Sequence, residues 1–225
     1  MLQEKILMQN TERVTLTSIK KVFAEPLKGA FAHDIFNEVK EKARNYDHPD
    51  FQQYFEFNEK TDLIEGTNNR LTLLTDIVLR EKGFWIPTPY EAKQLDKQGK
   101  LSNGVYRDYG LVFFNNREAN ADLAKYFYGE ANERNLKSPL ILPFKSLSLK
   151  MKTGEIIFSD NLEEVLSGEE ARSFLSNKMS YVGNSGIRGL DRDWYGSWNA
   201  GYDALGSSNV YGRVDWYCGK PHAKF

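Results

Sequence analysis

The sequence lacks the features that direct a chain into a membrane or an oxidising compartment. No apolar run approaches the roughly 20 residues that a bilayer-spanning helix requires. The opening residues, MLQEKILMQNTERV, contain no basic start followed by an apolar core, as a signal peptide would. Cys218 is the only cysteine, which excludes an internal disulfide and fits a reducing environment. These features predict synthesis in the cytoplasm, and they leave later display on a surface or association with a virion open.

An excess of one charge sign is absent as well. The chain carries 30 Lys and Arg residues against 31 Asp and Glu residues, so its formal net charge is −1. Such a balance provides no bulk attraction to nucleic acid or to an anionic membrane. We therefore expect neither of them as a partner.

The residue patterns of the common cofactor sites and catalytic sites are also missing. Neither GxxxxGK nor GxGxxG follows a predicted strand, so nothing indicates a nucleotide site. His33, His48 and His222, with a single cysteine, do not form a zinc-binding spacing. Cys218 lies four residues before His222, a spacing that would suit a thiol nucleophile, but a small thiol beside a tryptophan is more often a packing residue. We expect no cofactor and no metal, and we favour a packing role for Cys218.

Hydrophobic periodicity predicts helices in the first part of the chain and strands later. The segment TPYEAKQL supplies Thr88 as an N-cap, Pro89 in the first turn and Glu91 as the capping-box partner. A second capping box is predicted at SGEE, where a helix should begin near Ser167. The predicted helices cover residues 27–43, 71–80, the segment after Thr88, 119–135 and the segment after Ser167. The predicted strands are VTLTSI (13–18), YGLVFF (109–114), SPLILPF, SLSLKM and EIIFS, with KTGE as the turn between the last two.

This order of elements predicts an α+β fold. The strand–helix–strand succession over residues 109–143 leaves a βαβ unit of a parallel sheet as an alternative. We expect residues 1–65 to form an N-terminal helical or extended segment that packs on a main domain of residues 66–225.

Four residue types are absent from one C-terminal window. Residues 180–219 contain no Lys, Glu, Gln or Met, although these types make up 47 of the 225 residues and a window of 40 would hold about eight. The window is instead rich in Tyr, Trp, Asp, Ser, Asn and Gly. Tyr and Trp offer large rigid contact surfaces, while Ser, Gly and Asn offer adaptable hydrogen bonds, which is the mixture found in antibody paratopes. Because Lys and Glu are depleted at such interfaces, the composition predicts a recognition surface.

The absent residue types also share a property of the genetic code. An Asn codon that is randomised at its adenines cannot encode Lys, Glu, Gln, Met or Trp. Four of these five types are missing from the window, whereas tryptophan occurs as Trp194, Trp198 and Trp216. We therefore expect the tryptophans at fixed positions between variable ones, where they fill gaps in the core.

With these features, the segment SGIRGLDRDWYGSWNAGYDALGSSNVYGRVDWYCG resembles the C-terminal variable region of target proteins of diversity-generating retroelements, especially those of archaea and archaeal viruses. In that family a reverse transcriptase copies a template repeat with errors at adenines, and the product rewrites the end of the target gene. The resemblance implies a C-type lectin-like fold with a variable region at about residues 183–219. The framework positions that it implies are Gly186, Arg188, Gly189, Leu190, Gly196, Trp198, Leu205, Ser208, Gly212, Arg213, Val214, Asp215 and Trp216.

The resemblance assigns the interleaved positions to ligand contact. Arg188 and Arg213 are expected to hold the backbone by hydrogen bonds, together with buried Trp198 and Trp216. The chain has WNA where calcium-binding lectins have WND, and it has neither EPN nor QPD, so the expected surface is metal-free and non-enzymatic. Its ligand would be a protein or another surface molecule. The expected contact residues are Asp191, Asp193, Tyr195, Ser197, Asn199, Gly201, Tyr202, Asp203, Ser207, Asn209, Tyr211 and Tyr217.

The aspartates of the window leave a different function class open. Asp191 and Asp193, with Asp203 and Asp215, could hold a hard cation or act as paired carboxylates in hydrolysis. Exposed aromatic residues would suit a carbohydrate. The alternative is therefore a metal-dependent hydrolase or a carbohydrate-binding module.

Overall fold

The computed structural model describes residues 23–114, 122–162, 164–175, 186–200, 205 and 209–220, and the strand predicted at residues 13–18 lies outside these ranges. Helices and strands are mixed along the chain, so the predicted α+β class is confirmed. The helices are α1 (Gly29–Ala43), α2 (Asn69–Glu81), α3 (Pro89–Lys97), α4 (Asp122–Glu133) and α5 (Glu169–Leu175). The strands are β1 (Phe23–Pro26), β2 (Glu56–Asn58), β3 (Leu63–Thr67), β4 (Phe84–Trp85), β5 (Arg107–Phe114), β6 (Leu140–Pro143), β7 (Leu147–Leu149), β8 (Ile156–Phe158), β9 (Leu166–Ser167), β10 (Gly186–Arg192), β11 (Trp198–Ala200), β12 (Asn209–Val214) and β13 (Trp216–Gly219).

Local capping signals place the starts of the helices. The capping box of α3 is confirmed: the Thr88 side chain accepts from Glu91 N, and the Glu91 carboxylate accepts from Thr88 N at 2.8 Å. Helix α2 begins where Asn68 Oδ1 accepts from the next backbone N–H groups, at 2.9 Å in the case of Leu71. At the second predicted capping box, Ser167 instead belongs to β9, and the helix begins two residues later.

A five-stranded antiparallel sheet forms the largest sheet, in the order β11-β10-β5-β6-β9. The predicted buried strand at residues 109–114 is its central strand β5. Strands β5 and β6 are antiparallel, so the alternative of a parallel βαβ unit is wrong. Helix α4 therefore joins two antiparallel neighbours rather than forming the crossover that parallel strands need. Gly110 permits their close approach, because a Cβ there would lie 2.3 Å from the carbonyl oxygen of Leu142.

Two smaller sheets connect the beginning of the described chain with its end. In the sheet with the order β1-β13-β4, the first and last strands of the described chain, β1 and β13, pair antiparallel, with Phe23 opposite Gly219. In the sheet with the order β12-β3-β2, strand β12, which precedes β13, pairs with β3. The hairpin β7–β8 forms across the predicted KTGE turn. The buried residues Leu27, Ile35 and Ile64 belong to the same apolar core as those of α2, β5 and β6.

A charged residue, Asp76, lies inside this core. Its side chain is fully buried on α2, where Oδ1 accepts from Ile86 N at 2.7 Å and Arg80 Nε lies 2.9 Å from Oδ2. Burial disfavours the charged form and raises the pKa of Asp76 to about 6, although Arg80 and the Ile86 hydrogen bond act in the opposite direction. The folded protein therefore binds a proton here more tightly than the unfolded chain does.

We expect Asp76→Asn to change the pH dependence of stability. Because the folded pKa lies above the ordinary value of 3.8, the wild-type protein loses stability as the pH rises from about 4 to about 6. Asparagine retains the acceptor for Ile86 N and carries no charge. The stability of the variant relative to wild type should thus increase by about 2 kcal/mol between pH 4 and pH 7. Urea denaturation across this range measures the difference, and a constant difference would contradict the raised pKa.

Candidate functional site

The turn between β10 and β11 is shaped by Asp193. Its Oδ1 accepts from Tyr195 N at 2.9 Å and from Ser197 N at 2.8 Å, and its Oδ2 accepts from Asn199 Nδ2 at 3.0 Å. Gly196 has a φ of +83°, and a Cβ there would lie 2.5 Å from Asn103 Oδ1. Both carboxylate oxygens of Asp193 thus accept hydrogen bonds within the turn.

Three aromatic side chains lie exposed at this turn and beside it. Trp194 is 45% exposed, Tyr195 is 83% exposed and Tyr211, on β12, is 55% exposed. The rings of Trp194 and Tyr211 meet edge to face, with centroids 5.1 Å apart at 72°. We call Trp194, Tyr195 and Tyr211 the aromatic face. Ser197 is exposed next to it and Asn199 is half-buried. The prediction that Trp194 fills a gap in the core is wrong, since its ring packs on Tyr211 at the surface.

A loop from the middle of the chain completes this surface. Gly104 N donates to Trp194 O at 2.8 Å, and Tyr106 N donates to Tyr211 O at 3.2 Å. Tyr106 O in turn accepts from Arg213 N at 2.9 Å. The loop therefore joins the β10–β11 turn to β12. The role of this loop was not predicted from the sequence, although Ser-Asn-Gly at residues 102–104 is a turn signal.

Two buried arginines hold the loop from below. The Arg192 guanidinium donates to Ser102 O at 3.0 Å, to Asn103 Oδ1 at 3.0 Å and to Asp96 Oδ1 at 2.9 Å. Arg107 also donates to Ser102 O, at 2.9 Å. Both side chains are buried, so the donors are fixed in direction and keep the loop in one conformation.

Arg107 forms a two-pronged ion pair with Asp215, at the end of β12. Its Nε lies 2.7 Å from Oδ1 and its Nη2 lies 2.5 Å from Oδ2. The arginines that were expected from the sequence to hold the framework are Arg188 and Arg213. Arg213 lies 3.0 Å from Glu65 Oε1 on β3, and Arg188 is half-buried in β10. Arg107 and Arg192 were not predictable from the sequence, because neither stands out by local pattern.

Trp198 supports the hairpin next to Arg192, its cross-strand neighbour. Its indole stacks on the ring of Tyr109, with centroids 5.2 Å apart at 30°, and meets Phe174 edge to face. Its Nε1 donates to Asp96 Oδ2 at 3.4 Å. Trp198 packs against both apolar clusters of the protein, and Trp216 packs against the larger one.

Two of the expected contact residues lie inside the protein, which corrects their assignment. Tyr217 is only 5% exposed, because its ring packs edge to face against Phe31 and Phe84. Asp191 is 3% exposed, because β10 is paired on both sides and Asp191 lies opposite Asp108 on β5. Neither side chain can reach a ligand at the surface.

The remaining expected contact residues are only partly covered by the structure. Gly201, Tyr202, Asp203 and Ser207 lie outside the described residues. Asn209 is the first residue of β12, and its backbone pairs with Thr67.

Cys218 is fully buried in β13, opposite Trp85 on β4. Burial raises the pKa of the Cys218 thiol, and Glu91 nearby raises it further. A thiol that stays protonated is not a nucleophile, so the favoured packing role of Cys218 agrees with its place in the fold. His222, its suggested partner, lies outside the described residues.

The described ranges contain neither a cluster of metal ligands nor a membrane-spanning helix. No three His, Cys, Asp or Glu side chains in this part of the chain come together as metal ligands would. None of the helices described has both the length and the apolar character needed to cross a membrane.

Comparisons with known proteins complete the description of the site. No family model, no curated protein and no solved structure matches the chain.

Proposed function

We propose that the protein is a non-enzymatic binding protein that presents a variable C-terminal surface, diversified by the reverse transcriptase of a retroelement. The C-type lectin fold that the C-terminal segment implies is part of this proposal, and the α+β architecture agrees with it at the level of fold class. The observation that carries the proposal is the separation of two residue classes within one short segment.

The two classes alternate in sequence and separate in space at several positions. Of the positions expected to vary, Tyr195, Ser197 and Tyr211 are exposed, whereas the two corrected above are buried. Of the positions expected to be constant, Leu190 and Val214 are buried. A surface of this kind tolerates substitution because the exposed side chains contribute little to the core.

The aromatic face has the properties of a preorganised contact surface. Its backbone is fixed by the Asp193 turn, by the Gly104 hydrogen bond and by the buried arginines described above. Binding to such a surface incurs a smaller ordering cost than binding to a mobile loop. Exposed Tyr and Trp residues are also the side chains that most often dominate binding energy. The ligand would be a protein or another surface molecule that contacts these rings.

The genetic part of the proposal is tested in the genome that encodes the chain. We expect a near-copy of the DNA for residues 183–219 beside a reverse-transcriptase gene. The copy should differ from the coding sequence mainly where the copy has adenine. A genome in which the coding segment has no such copy would contradict diversification, whatever the protein binds.

The binding part is tested by the double variant Tyr195→Ser/Tyr211→Ser. Wild-type protein is first screened against arrays of purified surface proteins and glycans, and the affinity for the array hit is then measured by calorimetry. We expect the double variant to bind at least about tenfold more weakly, because two exposed aromatic contacts are lost, with an unchanged melting temperature. Tyr128→Ser, at an exposed tyrosine on α4, is the matched control and should bind like wild type. Unchanged affinity in the double variant would rule out the aromatic face as the contact surface.

A further inference from the structure

A small cavity lies beneath the framework, between α2, β5 and the connection from β12 to β13. Thr72, Asp108 and Tyr109 line one side, and Val214 and Trp216 line the other. The space open to the centre of a water molecule is about 10 Å³. This volume corresponds to one water molecule and is too small for an organic ligand.

Two buried hydroxyl groups at this cavity have no protein partner. Thr72 and Tyr109 are almost completely inaccessible to solvent. Neither Thr72 Oγ1 nor Tyr109 Oη makes a hydrogen bond within the described part of the chain. A buried hydroxyl without a partner destabilises a protein, so such groups are nearly always bonded to protein or to an ordered water.

We propose that this cavity is a binding site for one ordered water molecule, held by Thr72 Oγ1 and Tyr109 Oη. Asp108 also lines the cavity, so its polar atoms lie close by, and two to four polar partners are what a buried water requires. Burial raises the pKa of the Tyr109 hydroxyl, so this group stays protonated and can donate to the water.

The bound water links the core helix to the display hairpin. Thr72 belongs to α2, whereas Tyr109 belongs to β5 and stacks on Trp198 at the start of β11. By holding the Tyr109 hydroxyl, the water limits movement of the ring on which the indole rests. The water is therefore a positioning element of the framework, and its presence does not depend on the proposed function.

The test combines isosteric deletion of each hydroxyl with direct observation of the water. Tyr109→Phe and Thr72→Val each remove one partner of the water and should lower the melting temperature by about 3 to 8 °C. Thr72→Ser keeps the hydroxyl, so its melting temperature should lie close to that of the wild type. Tyr128→Phe, which removes an exposed hydroxyl on α4, should have no effect. Removal of a hydroxyl that truly had no partner would instead leave the melting temperature unchanged or raise it, and that result in both variants would overturn the proposal.

A high-resolution crystal structure of the wild-type protein decides the point without any variant. We expect a density peak at about 2.7 to 3.0 Å from both Thr72 Oγ1 and Tyr109 Oη. A cavity without density, or a direct hydrogen bond between the two side chains, would overturn the proposal even if Tyr109→Phe failed to fold.

Discussion

Replacing Trp198 by alanine is expected to lower the free energy of unfolding by about 3 kcal/mol. This is the lower end of the range for large core deletions, because the indole is half-buried. The substitution removes the stacking on Tyr109 and the contacts with both apolar clusters, and the hairpin would have to collapse into the space left. Urea denaturation followed by circular dichroism measures the loss.

Tyr195→Ala is the matched control, since it removes an aromatic side chain from the same hairpin at its exposed turn. Tyr195 is 83% exposed, so its loss should leave the stability unchanged. Equal effects of the two substitutions would contradict the division of this segment into a framework and a display surface.

The second large effect is expected at the buried ion pair below the loop. Asp215→Ala leaves the Arg107 guanidinium, which is 3% exposed, without its carboxylate, while the hydrogen bonds to Ser102 remain. An unpaired buried charge of this kind typically costs about 3–5 kcal/mol. We therefore expect a large fall in the denaturation midpoint, with faster hydrogen exchange at residues 102–106, because an Arg107 side chain that Asp215 no longer fixes would hold Ser102 less firmly.

The pair Lys150–Glu155, in the exposed β7–β8 turn, provides the control for this experiment. Its nitrogen and oxygen lie 3.0 Å apart, but both side chains are more than half exposed. Glu155→Ala should leave the denaturation midpoint essentially unchanged, because water screens such pairs. An Asp215→Ala midpoint close to that of Glu155→Ala would show that the buried pair does not hold the loop.

Features that depend on neighbours in the chain were predictable from the sequence. The capping box at Thr88 and Glu91 requires only four consecutive residues with the right side chains, and the structure contains it. The hairpin β7–β8 likewise depends on two short apolar runs and the turn between them. In both cases the energies that decide the conformation are local.

Features that depend on distant residues were not predictable. Arg192 is held by Asp96, which is 96 positions away, and no local pattern relates the two. Tyr211 and Tyr217 have similar surroundings in sequence, yet one is exposed and the other is buried. The difference arises because the ring of Tyr217 packs against Phe31 and Phe84, which are distant in the sequence. Composition predicted a recognition segment but could not assign each side chain to one face.

The pairing of β1 with β13 determines how the protein responds to mechanical force. Phe23 and Gly219 stand opposite each other, so a pull applied through both ends of the described chain acts on this pair first. The force then breaks the hydrogen bonds between β1 and β13 one pair at a time. The two strands are not loaded in shear.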